Sequence, residues 1–556
     1  MHGVAVLLRK DACVLGNLSV LAREQSVFKG VFILVFAGAM LGGLWYLFLE
    51  GFQFLGNLGG IGVMLIHHLF ALCFFGLGLM LVLSNIITTY TTVFHSEEIP
   101  FLLCRPIAPG EILLHKWLET TLISSWAFFL IIVPFIGAFA WHERLSALFM
   151  LWTFLFSIPL VLLYAGVGML LTILVLRFAP RWRARLWVGI ALLGLIGWGG
   201  WLLLGFGKTP TDDVAFILER FVPGLKVAAF PLWPSAWVAE GIVALSRGQW
   251  LRGSLLFGVL LANTLMVALL VEAAGNALFV QTWLRTRAAF RQGAPARPIA
   301  APVPATRLTF LAHDARALVI KDVRTMARDP AQWIQGFLFF GLLTLYFFNL
   351  RNLHYHLLSD VWRNLITFLN IFSLAAVMCS FSSRFIYPQL SLEGQAFWLI
   401  GLGPTTMGRI LKIKFLSALV GMLAISVVLM TVSTISLAVG WRVWLTTMGL
   451  AVAMSLGLSA LATGLGAVFL DLKQRNPMSI ISGFGGTLNL ALSLVYLAAV
   501  ILPFGALNHY YVLGRIGSGD LRTGMLAASA WLIIATLAAT FLPLFSGKRS
   551  LLRRDY

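Results

Sequence analysis

Charge is what this sequence has least of. Only 11% of its 556 residues are Asp, Glu, Lys or Arg, against 60% hydrophobic residues and a mean hydropathy of +0.92. A soluble domain of this size could not stay in solution with so few charges, so the composition excludes one. Cysteine is scarce too. Cys13, Cys73, Cys104 and Cys379 are scattered without paired spacing, which excludes a zinc site and a disulfide framework. Acidic residues are half as common as basic ones, 21 against 40. That leaves little material for a carboxylate dyad or an acidic metal site, and no Ser/His/Asp constellation stands out. A short apolar core with a small-residue cleavage site is missing from the first residues, so no cleavable signal peptide is expected there.

What is present is a series of apolar runs of about 20 residues, the length that crosses about 30 Å of hydrocarbon. Such runs must be helical, because lipid satisfies no backbone hydrogen bond. The chain is therefore read as an all-α polytopic membrane protein with about twelve transmembrane helices. The candidate spans are 27–49, 61–92, 119–140, 147–177, 187–206, 254–283, 333–350, 363–383, 415–439, 443–470, 484–503 and 524–546. With a cytoplasmic N-terminus, most of the 40 Lys and Arg fall on the inner side, as the positive-inside rule requires. The basic excess then reports topology and contact with the lipid bilayer, not nucleic acid. The expected location is a bacterial cytoplasmic (inner) membrane, multi-pass, with both termini cytoplasmic.

The spans divide into two pseudo-repeated six-helix halves, 1–283 and 307–556, joined by a basic Pro/Ala-rich linker over 284–306. Each half opens on an amphipathic segment, 3–24 and then the run Leu308, Leu311, Ala315, Leu318, Val319, Val323, Met326, expected to lie in the inner interface. Between the second and third spans of each half lies a polar, turn-rich loop. In the second half it reads Ser391-Leu392-Glu393-Gly394, then Trp398, Pro404, Arg409, Lys412 and Lys414. In the first it reads Ser96-Glu97-Glu98, then Pro100, Arg105, Pro106 and Lys116. Pro100 and Pro106 are expected to break this first loop, with Glu111 starting the next span.

The largest outer segment is 207–251, rich in aromatics and expected to pack as helical hairpins in the outer interface. A Gly-rich end of span ten leads into an inner-surface turn with Asp471, Lys473 and Arg475. Asn85, Asn263, Asn276, Asn370 and Asn489 are expected to bond across helices. Gly207-Lys208-Thr209 and Gly547-Lys548-Arg549 look like ends of phosphate-binding loops. Leu202 stands where the first needs Gly, and no strand precedes either, so neither is read as a nucleotide site.

With these loops, the Gly464–Asp471 stretch and the Asn476-Pro477 to Gly486 stretch, the chain resembles the membrane subunit of an ABC exporter of the type-2 permease class, in its double-length form. The resemblance implies a transport subunit that is not an enzyme, with no cofactor in this chain, and ATP and Mg held by separate cytoplasmic ABC ATPase subunits in two copies. It also implies that those subunits dock on the coupling segments 94–118 and 385–414, through Glu97, Glu98, Arg105, Pro106, Lys116, Glu393, Pro404, Arg409, Lys412 and Lys414. On that reading, exchanging the charges of Glu393 and Lys414 would uncouple transport without unfolding the protein. The alternative is a secondary transporter of the major facilitator kind, against which stand the missing Asp-Arg-rich loop and the scarcity of buried ionisable residues.

Overall fold

The computed structural model describes residues 3, 5–13, 16, 27–56, 60–94, 96, 98–178, 230–291, 312–328, 360–403, 405–436, 440–473, 480–481, 483–512 and 514–554. Among these residues every regular element is a helix, and ten helices are long and apolar enough to cross a membrane. The two other expected spans, 187–206 and 333–350, lie outside the described residues. The chain forms two compact units, one of 1–195 with 209–297 and one of 196–208 with 298–556.

In the first unit, residues 5–13 are helical. The long helices are α1 (Val27–Gly56), α2 (Gly60–Thr89), α4 (Pro109–His142), α5 (Ala147–Phe178) and α7 (Trp250–Ala274), with a short α3 (Glu98–Leu103) between α2 and α4 and α6 (Pro234–Ser246) before α7. Helix α7 runs through a π-turn, Gly275–Phe279, into α8 (Val280–Arg291), so 284–291 is helical where a linker is expected. The core at the α1, α2, α4 and α5 contacts is aromatic. Phe70 packs on Phe135, Phe139 and Phe149 with ring centroids 5.5, 4.9 and 6.2 Å away, and Phe52 packs on Phe135 and Phe139 at 5.3 and 5.5 Å. Tilted and edge-on pairs of this kind add attraction beyond the area they bury. Of the outer segment 207–251, residues 207–229 lie outside the described residues, and α6 turns its Val238, Ile242 and Leu245 into the core.

In the second unit, α9 (His313–Arg328) precedes α10 (Asp360–Phe381), which continues through a π-turn, Ser382–Ile386, and two 3-10 turns into α11 (Phe397–Gly401). Then come α12 (Met407–Ser436), α13 (Trp441–Val468), α14 (Phe484–Val512) and α15 (Ser518–Leu552). Helix α13 is central, packed by α12, α14 and α15. Tyr496 of α14 reaches across to it, its hydroxyl donating to Ala453 O at 2.8 Å and pairing with Thr536 Oγ1 of α15 at 3.0 Å. Helix α14 extends well past the expected end at 503, because Pro503 sits inside it without ending it, and α15 starts before the expected 524.

The asparagines behave as expected except one. Asn85, Asn276, Asn370 and Asn489 bond to Ser124, Gly110 N, Ser433 and Ser383 on other elements. Asn263 instead donates to Val259 O one turn back on its own helix. It faces outward, where its own backbone is the nearest acceptor.

Candidate functional site

The polar loops fold differently from a simple broken turn. Pro100 lies in the first turn of α3, where no intrahelical N–H is required, so it starts the helix and does not break it. Helix α4 begins at Pro109, two residues before the expected Glu111, for the same reason. In the second unit Gly394 has φ +58° and ψ −146°, a backbone conformation open to glycine and strained for any side chain. That residue turns the chain from the Ser391 segment into α11. A π-turn immediately precedes the loop in each unit, Tyr90–Phe94 and Ser382–Ile386, and such turns often mark functional sites.

Each loop carries one glutamate into an ion cluster built on a buried lysine. In the first unit Lys116, 1% exposed, donates to Glu98 Oε2 at 2.6 Å and to Glu119 Oε2 at 2.7 Å. Glu98 in turn accepts from Lys10 of the N-terminal helix at 2.7 Å, and His115 Nε2 lies 2.7 Å from Asp11 Oδ2. In the second unit Lys414, also 1% exposed, donates to Glu393 Oε1 at 2.7 Å and to Asp322 Oδ1 at 2.8 Å. Lys321 donates to Glu393, and Gln389 donates to Asp322 Oδ2 at 3.1 Å. Both clusters have one plan. A lysine in the first turns of a long helix meets a glutamate from the preceding loop, and a Lys-Asp pair on the amphipathic helix closes the set. The two lysines are placed deeply enough to need these partners, since either ammonium alone would cost several kcal/mol to desolvate.

The expected exchange of Glu393 with Lys414 therefore has a different outcome. It would set a carboxylate beside Asp322 and an ammonium beside Lys321, and the like charges would destabilise the unit. Glu98 carries a pH signature. Burial pushes its carboxyl up, but the hydrogen bonds and charges of Lys10 and Lys116 outweigh burial and hold it at about 2. A carboxylate depressed on folding stabilises above its unfolded value of about 4.3 and loses that contribution as the pH falls toward the folded value. Thermal melting between pH 6 and about 2.5 should thus drop for the wild type and stay flatter for Glu98→Gln; parallel curves would contradict it.

Of the residues singled out in the loops, Lys116 and Lys414 are buried and Glu393 nearly so, so they act inside the unit and offer no outer surface in this conformation. Arg409 is taken by Asp314 of α9, Nε to Oδ2 at 2.6 Å. Arg105, Pro106 and Lys412 remain exposed, with Arg105 4.5 Å over the Phe101 ring. The inner-surface turn is tied to the loop, the Asp471 N–H donating to Ser391 Oγ at 3.1 Å, while the Lys473 N–H donates to Asp471 Oδ1 at 3.0 Å. Glu97, Pro404 and Arg475 lie outside the described residues. Lys10, Asp11, Asp314, Lys321 and Asp322 were not among the expected site residues. The recurring Lys-Asp dipeptide at 10–11 and 321–322, each on an amphipathic segment, is the signal that marks them.

A family model described as "Putative ATP-binding cassette" matches residues 22–555. The chain belongs to that family. No curated protein and no solved structure matches it. Membership in an ATP-binding cassette family corrects four expectations: assignment to the type-2 permease class, the function of a subunit served only by separate ATPases, the absence of a nucleotide site of its own, and the absence of ATP and Mg from this chain. It gives the major facilitator alternative no support. What stands is a multi-pass membrane protein of the ABC transporter kind.

The described residues do not fit a nucleotide. A phosphate cradle needs free backbone N–H groups at a glycine-rich loop between strand and helix, and no strand occurs among the described residues. Gly547-Lys548-Arg549 lies within α15, its amides committed to the helix, and Gly207-Lys208-Thr209 lies outside the described residues. Lys116 and Lys414 are already saturated by carboxylates. Among the described residues no group of His, Cys, Asp or Glu is placed to hold a metal ion.

Proposed function

We propose that the chain is a membrane-embedded protein of an ATP-driven transporter of the ABC kind, with the two ion clusters acting as rigid fittings between inner-face loops and membrane helices. The observation that carries this is the shared plan of the clusters: a buried Lys116 or Lys414 on a spanning helix, joined through Glu98 or Glu393 to the loop and through Lys-Asp pairs to the amphipathic helix. A push on the loop then moves the helix as one body, because the buried set cannot come apart without leaving an unpaired charge. The same plan supports reading the chain as two repeats of six spans, both termini and both clusters facing the cytoplasm of a bacterial inner membrane, as the basic excess requires.

Two copies of an ATP-hydrolysing cassette would press on α3 and α11. Exposed apolar side chains stand at both short helices: Phe101, 57% exposed, on α3 with Arg105 over its ring, and Trp398 and Leu399 on α11 followed by the 77%-exposed Leu402, with Lys412 exposed on the next helix. Exposed apolar groups rimmed by charge mark contact surfaces. Phe101→Asp combined with Leu402→Asp should leave folding intact, because both side chains are exposed. Photo-crosslinking from position 104, an exposed cysteine beside α3, in native membranes should capture a polypeptide carrying a phosphate-binding loop. Loss of that product in the double variant is the expected result; a product of equal yield in the double variant, or none in the wild type, would count against the reading.

A further inference from the structure

The end of α15 carries a feature the coupling scheme does not use. Lys548 and Arg549 lie in its last two turns, and Arg553 and Arg554 follow directly after its end. An open cleft of about 380 Å³ there is lined by Ser546, Arg549, Ser550, Arg553 and Arg554, with Val468 and Phe545 at its apolar edge. Arg554 is anchored, its guanidinium donating to Leu470 O at 2.7 Å and to Val468 O at 3.1 Å at the end of α13. Arg549 and Arg553 are different: both are exposed, and among the described residues neither is ion-paired with a carboxylate. Serine hydroxyls stand beside them as further donors.

The apolar side of the same helix completes the site. Phe541, Leu542 and Phe545 project outward immediately before the cations, Phe545 at 68% exposure. Greasy side chains running straight into paired guanidinium groups and hydroxyls match a molecule with acyl chains and an anionic head. Arg guanidinium binds a phosphate diester through two parallel N–H donors, a match for its fixed fork.

We propose that this cleft binds one anionic phospholipid headgroup, its phosphate held by Arg549, Arg553 and the Ser546 and Ser550 hydroxyls, with its acyl chains along Phe541, Leu542 and Phe545. The placement in the inner leaflet rests on the orientation proposed above. Lys548 supports that placement, since it packs on Gly408 at the start of α12, on the side of the second ion cluster. The bound lipid would fix the last turn of α15 against the 468–473 turn, which Ser391 ties to the loop.

The test uses the full-length protein purified in a neutral detergent, with native mass spectrometry of retained lipid after titration with phosphatidylglycerol or with phosphatidylcholine of the same chains. Wild type should retain phosphatidylglycerol preferentially. Arg549→Gln with Arg553→Gln should weaken that retention about twenty-five-fold, at about fivefold for each cation near an anionic surface. Arg549→Lys with Arg553→Lys, which keeps the charge, should retain most of the binding. Matching thermal midpoints establish that the glutamine variant is folded, as expected for two exposed side chains. Equal retention of the two lipids, or retention unchanged in the glutamine variant, would overturn the proposal. So would displacement of the lipid by inorganic phosphate or ATP at concentrations where phosphatidylcholine has no effect, since the cleft would then be a site for free phosphate groups. If the loss in the glutamine variant persists while the crosslink from position 104 is absent, the lipid site stands and the coupling scheme falls.

Discussion

Lys414→Met lowers the stability of the second unit by about 3–5 kcal/mol, the usual cost of removing one partner from a buried ion set. The lysine is 1% exposed and serves two carboxylates at once, Glu393 at 2.7 Å and Asp322 at 2.8 Å. Methionine fills the same volume but leaves both oxygens facing each other with only Lys321 and Gln389 to share. One carboxyl must then take up a proton or the loop must leave the helix. Either way the Ser391 segment loosens, and protection from hydrogen exchange across 387–401 should fall with the melting temperature. Lys412→Met, two residues away on the exposed side, supplies the control and should change stability by no more than about 0.5 kcal/mol. A Lys414→Met protein that melts with the wild type would show that the cluster is not a stabilising set.

Gly464→Leu is the second large effect, and it acts through backbone contact instead of charge. A Cβ at Gly464 would stand 2.4 Å from the carbonyl carbon of Pro543 and 2.5 Å from its oxygen, with Gly547 opposite the same residue. The obstacle is main chain on both sides, so no rotamer can relieve it and α13 must separate from α15. Overpacking a core costs about 1–3 kcal/mol where side chains can shift, and more is expected here. Because α15 also carries the Arg554 bonds to Val468 and Leu470, separation undoes the inner-surface turn as well. Gly464→Leu should accumulate poorly in the membrane and melt well below Gly421→Leu, at a glycine of α12 with open space around it. Similar melting of the two variants would contradict this packing.

Much of the fold was legible because membrane spans write themselves in composition. Long apolar runs, the polar loops after spans two and eight, and the amphipathic segments all follow from what lipid and water each exclude. Helix ends were less legible. Pro100, Pro109 and Pro503 were read as breaks or were given no weight, and each sits where a helix tolerates it, in a first turn or in a long helix held by neighbours. The site was half legible. Glu98, Glu393, Lys116 and Lys414 stood out by type in an acid-poor chain, but charge in a loop reads as surface charge, and burial is a tertiary fact. Their partners, Lys10, Asp11, Lys321 and Asp322, lie about 70 to 105 residues away in sequence from the residues they meet. No local pattern could pair them. The resemblance led to a permease class that the family match overturns, because its specific motifs covered only short segments while the rest was shared architecture.

The central claim is that each ion cluster makes amphipathic helix, loop and spanning helix move as one. Its most direct test is a distance between spin labels at Thr325 on α9 and Lys412 on α12, both exposed, measured in native membranes without nucleotide and after trapping with ATP and vanadate. The account predicts the same narrow distance in both states for the wild type, and a broadened distribution in Lys414→Met. A wild-type distance that changes between the two states would show that the helices move independently, and the clusters would not be the coupling element.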